Sequence, residues 1–350
     1  MATGNKYGYG FVDSSYICNR NTFSISAHKK PGEYTAGEIV RCTIQTLNKI
    51  CRDYKDVTVD KFVLLADKWD YSLGGYYRTH ILGGKYKDTR GDGVDKDGRP
   101  IYINMKYWES VKDDPGISDK DKDTIYSKAY LNEVKREAKK IIETELSSFG
   151  VPCIWVPGWE ADDLAYLCSG LLYTEDPGVK PNVLITKDSD QYYSLSPRMD
   201  LFKIPTAKSE PKIVTYNEMC QTIPDFLKGR ISLYDYHAYK ESLGDSHNDV
   251  RSVKKPGISV DAAIDRILNG DISVLTDPEQ FKINLSTFDI ARFPGFDEAK
   301  RLVLEVLPKA GRLGSVAEFR TFCMKNKVSG IDDRYFSEFI SRFDPRLFSE

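Results

Sequence analysis

The chain has 350 residues, 41% of them hydrophobic and 29% charged, with a formal net charge of −2. That balance excludes a disordered or low-complexity protein and suits one large domain or two smaller ones. The total lacks the basic excess of a simple nucleic-acid binder, although an acidic pocket and a basic surface would cancel in the sum.

In chain order, the opening MATGNKYGYGFVDSS has neither the basic nor the apolar region of a signal peptide. No apolar run approaches the ~20 residues that span a bilayer. The stretch from Tyr9 to Val12 predicts a short strand that ends at Asp13 and passes into a polar Ser14-Ser15 loop. Ile39, Cys42, Ile44, Leu47 and Ile50 recur at helical spacing over Ala36 to Cys51. Phe62 to Ala66 predicts a buried strand ending at Asp67. From Trp69 to about Ser127 the pattern dissolves into glycines and mixed charges, the mark of a functional or mobile segment. A helix is expected from Tyr130 to Phe149, with Gly150 as its stop. Cys153 to Val156 predicts a strand leading to a helix that opens at Glu160, and Val183 to Thr186 one leading to Lys187-Asp188-Ser189-Asp190. Beyond about Ile213 helical segments dominate, which sets a boundary near Pro224. The expected units are 1–224, with its irregular insertion, and 225–350.

Strands alternating with helices argue for an α/β fold with a largely parallel sheet. Ligands of such sheets bind beyond the carboxyl ends of the strands. Asp13, Asp67 and the Asp188/Asp190 pair all fall there, and Glu160, Asp162 and Asp163 open the helix after a fourth strand. Each motif alone has a plain structural explanation: acidic residues favour a first helical turn, and strand-end aspartates make caps and turns. Glu160 and Asp163 share a helix face, and Asp188 and Asp190 would point the same way in extended backbone. Three carboxylates in four positions exceed the needs of a cap, and a bound cation would relieve their repulsion. A further motif, Asp245-Ser246-His247-Asn248-Asp249, reads alone as a turn between helices.

Phosphodiester hydrolysis suits this arrangement, since two cations ~4 Å apart can activate water and neutralise the leaving oxygen. Hard carboxylate donors favour Mg2+, with Mn2+ as a substitute. The seven cysteines form no CxxC pair and the four histidines no ligand spacing, so zinc and a disulfide framework are not expected. Arg78 and the segment Lys85-Tyr86-Lys87-Asp88-Thr89-Arg90 offer phosphate-binding charge and a stacking ring. Lys254, Lys255 and Gly257 precede a helix near Val260, whose amides could meet phosphate.

In order along nearly the whole chain, VDSS, LLADKWD, GYYR, YKDTR, GWEADDLA, ITKDSDQYYSL and KESLGDSHNDVRSVKK resemble the 5′-nuclease family. That family includes flap endonucleases, the exonuclease domain of bacterial DNA polymerase I and, nearest in motif, the T-even phage ribonuclease H. The resemblance implies a PIN-like parallel-sheet core, a helical arch over the active site and a C-terminal helix-turn-helix type DNA-binding part. It implies metal-dependent hydrolysis at 5′ flaps, 5′ ends or RNA primers, on DNA or RNA–DNA hybrid. The implied ligands are Asp13, Asp67, Glu160, Asp162, Asp163, Asp188, Asp190, Asp245, Asn248 and Asp249. Lys87 and Arg78 would serve the scissile phosphate at the foot of the arch. The sequence departs from the family pattern at Asn248-Asp249, where the usual Asp-Asn order is exchanged. A cytoplasmic location follows, the host's for a phage-encoded chain. Three rivals are a catalytically weak DNA-binding protein on this fold, an aspartyl-nucleophile phosphatase and a related RNA-cleaving nuclease of the same core, against which the helical C-terminal third argues. Ser14-Ser15 after Asp13 argue against the phosphatase, which needs a second aspartate two residues on.

Overall fold

Short apolar runs become strands covered on both faces of a sheet. The computed structural model describes residues 5–51, 57–83, 103–188, 190–205, 210–244, 250–311 and 315–331. Its strands are β1 (Asn5–Asp13), β2 (Val57–Leu65), β3 (Cys153–Ile154), β4 (Asn182–Ile185), β5 (Met199–Lys203) and β6 (Lys212–Val214). They form one six-stranded sheet in the order β3-β2-β1-β4-β5-β6. Every neighbouring pair is parallel except β5 with β6. The chain thus builds outward from β1 to β3, then returns to lay β4 on the other side of β1. That reversal puts the topological switch point of the sheet between β1 and β4.

Twelve helices are described: α1 (Ser14–Ser26), α2 (Ala36–Cys51), α3 (Tyr77–Ile81), α4 (Met105–Val111), α5 (Asp119–Glu145), α6 (Ala161–Leu171), α7 (Tyr216–Cys220), α8 (Leu233–Ser242), α9 (Val260–Leu268), α10 (Pro278–Ser286), α11 (Phe296–Val306) and α12 (Val316–Lys325). Alternate strand residues face opposite sides. Val12, Phe62, Leu64, Val183 and Ile185 pack with α1, α2, α5 and α12. Phe11, Val63, Leu65, Leu184 and Leu201 pack with α6, α8, α10 and α11. The result is a three-layer α/β fold. Among the described residues, no helix is long and apolar enough to cross a membrane.

Several expectations need correction. Asp13 passes directly into α1 rather than into a loop, because its carboxylate accepts the Tyr16 amide and caps the helix. The stretch read as irregular contains α3, α4 and the first third of α5, which starts at Asp119 rather than Tyr130. Ser118 caps that start, with Asp119 and Asp121 in the first turn. Helix α5 gives way at Leu146 to a 3₁₀ turn before Gly150, which has φ +78°. Strands β5 and β6 were not anticipated. Asp188 and Asp190 do not share an extended segment, since Asp190 opens a 3₁₀ turn, Asp190–Ser194.

Apolar residues on both sides of Pro224 belong to the same clusters, so the shift in composition there brings no break in packing. Trp159 shows why. It is fully buried, its indole lies 5.5 Å from the Phe293 ring, and its Nε1 donates to Pro294 O at 3.1 Å. Trp159→Ala is expected to cost about 3–5 kcal/mol, read as a lower urea midpoint. A midpoint within error of the parent would show that this contact does not join the two parts.

Candidate active site at the carboxyl edge of the sheet

Because β1, β2, β3 and β4 run parallel, the segments that follow them emerge at one edge. Asp13 is the last residue of β1 and is buried. Asp67 lies two residues past β2. Its Oδ1 accepts the Ala161 amide at 2.8 Å and its Oδ2 accepts Ser15 Oγ at 3.0 Å. One carboxylate therefore ties the start of α1 to the first residue of α6, where the helix N-terminus favours negative charge.

The turn into α6 is set by Gly158, whose φ of +80° and contact with the Tyr77 ring leave no room for a side chain. Its amide donates to Lys68 O and its carbonyl accepts from Tyr77 N, at 2.8 and 2.9 Å. Glu160 then caps α6, and Asp163 reaches back to accept the Glu160 amide at 3.0 Å. Both carboxylates meet Arg78. Its Nη1 lies 3.3 Å from Glu160 Oε2 and its Nη2 lies 2.5 Å from Asp163 Oδ1. All three side chains are nearly inaccessible, and the guanidinium packs 5.5 Å from the Phe288 ring centroid. As placed, Arg78 holds the first turn of α6 and does not stand exposed at the foot of an arch.

Asp162 faces the other way round the helix, toward Gln191, whose Nε2 donates to Asp162 Oδ1 and, at 3.3 Å, to Asp13 Oδ2. Asp188 follows β4, is exposed, and its charge acts on Asp13. Burial and the neighbouring charges push Asp13 up to about 7. Burial is the largest cause and the Asp67 charge the next, opposed by the Tyr16 hydrogen bond and Lys139, with Asp188 adding to the rise. Lys139, on α5, donates to Ser15 Oγ at 2.9 Å and lies 3.5 Å from Glu143. Burial opposes its charge, but Glu143, Asp67 and Asp13 outweigh burial and raise its pKa.

The fold brings Asp13, Asp67, Glu160, Asp162, Asp163 and Asp188 to one edge, together with Gln191 and Lys139, which the sequence reading did not single out. Gln191 directly follows the acidic segment, a signal that adjacency could have supplied, whereas nothing local links Lys139 to residues far behind it in the chain. The side chain of Asp190, and all of Asp245, Asn248, Asp249, Lys85, Tyr86, Lys87 and Arg90, lie outside the described residues. Lys254 forms a bridge with Leu275 and is half-buried, while Lys255 is exposed. Gly257, at φ +81°, turns the chain toward Ser259, the cap of α9.

Among the described residues, no group of three or more His, Cys, Asp or Glu side chains is drawn together tightly enough to hold an ion. Donors already meet these acids: Ala161 N and Ser15 on Asp67, Gln191 on Asp13 and Asp162, Arg78 on Glu160 and Asp163. The donor set nevertheless fits a hard divalent cation. Its oxygens are carboxylates, and Asp13 carries an unfavourable buried charge that a cation would relieve.

No family model matches the chain, and no curated protein matches it. Among solved structures it is similar to a bacteriophage T5 flap endonuclease in complex with DNA and metal ions, at 17% identity over 85% of this chain and 98% of that one, with a TM-score of 0.49. It is similar to a T5 5′-exonuclease with bound zinc, at 15% identity over 96% of this chain and 100% of that one, with a TM-score of 0.45. It is also similar to human GEN1 in complex with Holliday junction DNA, at 14% identity over 96% of this chain and 71% of that one, with a TM-score of 0.41.

Proposed function

We propose that this chain is a divalent-cation-dependent 5′-nuclease that hydrolyses phosphodiester bonds at 5′ flaps, 5′ ends or RNA primers. The observation that carries the reading is the meeting of four separate acidic segments at the carboxyl edge of a parallel sheet, beside its topological switch. There the Asp67 and Asp188 charges reinforce burial in raising the pKa of Asp13. Asp13, Asp67, Asp162 and Asp188 would hold Mg2+, or Mn2+ in its place, with Asp190, Asp245 and Asp249 completing two sites and Asn248 adding a neutral oxygen. Bound divalent ions supply Lewis acidity and charge neutralisation at the reacting phosphate.

The chain's own residues do the rest. Arg78 fixes Glu160 and Asp163, which set the direction of the first turn of α6 and so of Asp162. Lys139, through Ser15, orients Asp67. Lys87 is assigned to the scissile phosphate, with Lys85, Tyr86 and Arg90 along the strand. Lys254, Lys255 and Gly257, ahead of α9, are assigned to the duplex backbone. The partners are branched or nicked DNA with a 5′ end and RNA–DNA hybrid.

One observation favours a second reading, a DNA-binding protein that cuts weakly: the described acids form no ready ion cage. A 5′-labelled flap duplex and an RNA-primed duplex, each with magnesium and with chelator, separate the two. Short labelled products that appear with magnesium alone support the nuclease. Retarded but uncut substrate supports the rival.

A further inference from the structure

Gln191 follows Asp190 in the 3₁₀ turn Asp190–Ser194, and its side chain is wholly buried. Its Nε2 lies 3.3 Å from Asp13 Oδ2 and 2.5 Å from Asp162 Oδ1. One amide group is thus shared by two carboxylates that arrive on different elements, the end of β1 and the first turn of α6. Its Oε1 is also buried and has no hydrogen-bond partner among the described residues. Leaving such an oxygen unsatisfied is unfavourable. Turning the amide over would be worse, since it would set that oxygen against both acids.

We infer that Gln191 is a positioning residue of the cation site, holding Asp13 and Asp162 in register through a shared neutral donor and keeping its own oxygen within the same cluster. The inference rests on the functional reading above. The residue type matters. A lysine between these acids would neutralise one of them and compete with the cation. A glutamate would add a further like charge to a site where Asp13 already feels Asp67 and Asp188. A carboxamide donates without changing the net charge, so the full attraction of the carboxylates stays available to the ion. Lys139 does not duplicate the role, because its hydrogen bond goes to the Ser15 hydroxyl and its charge acts on Asp13 from a distance.

Manganese uptake, followed by loss of the free-ion electron paramagnetic resonance signal, reads this without turnover. Gln191→Met keeps the length of the side chain and removes both amide atoms. It is expected to bind manganese about 10–100-fold more weakly than the parent while keeping its circular dichroism spectrum. In the parent protein, the Gln191 side-chain amide protons are expected to exchange slowly in chelator and to shift when magnesium is added. That measurement decides the matter should the variant not fold. Equal manganese affinity in a folded Gln191→Met, or amide resonances that ignore magnesium, overturns the assignment. A parent chain that takes up no manganese overturns the functional reading itself, and this inference with it.

Discussion

Asp13→Asn is expected to lower magnesium-dependent strand cleavage by about 10³-fold, corresponding to roughly 4 kcal/mol of lost transition-state stabilisation. The substitution keeps size and shape while removing the charge and the oxygen that accepts from Gln191 Nε2. Asparagine retains the shape and an oxygen able to accept the Tyr16 amide, so the cap on α1 survives. Removing the charge also removes its repulsion with Asp67 and Asp188. The metal-free variant should therefore unfold at higher urea than its parent at pH 8, even as it loses activity. Loss of activity with gain of stability marks a site where charge is held at a cost for function. Cleavage within tenfold of the parent would remove Asp13 from the reaction. A variant that is both inactive and less stable would show instead that the carboxylate is a structural cap.

The second large effect is on pH dependence. In the folded chain Asp13 is pushed up to about 7 from an ordinary value of 3.8. Its folded pKa is raised, so its contribution to stability is fully present below about pH 4 and is lost as the pH rises to about 7. Across that window the slope is about 1.4 kcal/mol per pH unit, on the order of 4 kcal/mol in all. His237 runs the opposite way. Burial, with Lys240 adding to it, pushes His237 down to about 4 from 6.5, so its contribution is lost as the pH falls through that range. Asp13→Asn keeps His237, and the difference between the two proteins isolates Asp13. In chelator, the parent's stability relative to the variant should fall steadily from pH 5 to pH 7 and level off above. Magnesium should restore the parent most at the upper end of that range. Parallel urea midpoints for the two proteins from pH 5 to pH 8 would show that the Asp13 carboxyl titrates as it does in the unfolded chain.

The parts of this site legible in the sequence were those governed by the sheet. Strand-end aspartates read as one constellation because parallel strands deliver their carboxyl ends to a single edge, and Asp13, Asp67 and Asp188 do emerge there. Elements whose signal is weak in isolation were missed. Strand β6 has only three residues, and the first third of α5 is a charged surface helix whose apolar face begins late, at Ala129 and Val134. The premise for pairing Asp188 with Asp190 failed because extended geometry ends before the 3₁₀ turn. Long-range pairings were beyond local pattern altogether. Arg78 read as a phosphate-binding residue, yet the fold buries it against Glu160 and Asp163, where charged partners offset its desolvation. Gln191 carried no charge to draw notice, though its amide joins two of the acids.

The central claim is that these acids cage divalent cations at the sheet's carboxyl edge. Crystals soaked in manganese and measured at its absorption edge test it directly. The account predicts anomalous peaks within ligand distance of Asp13, Asp67, Asp162 and Asp188, with Gln191 still bridging Asp13 and Asp162. Strong diffraction with no anomalous density among these carboxylates, at manganese concentrations that saturate the protein in solution, would contradict it.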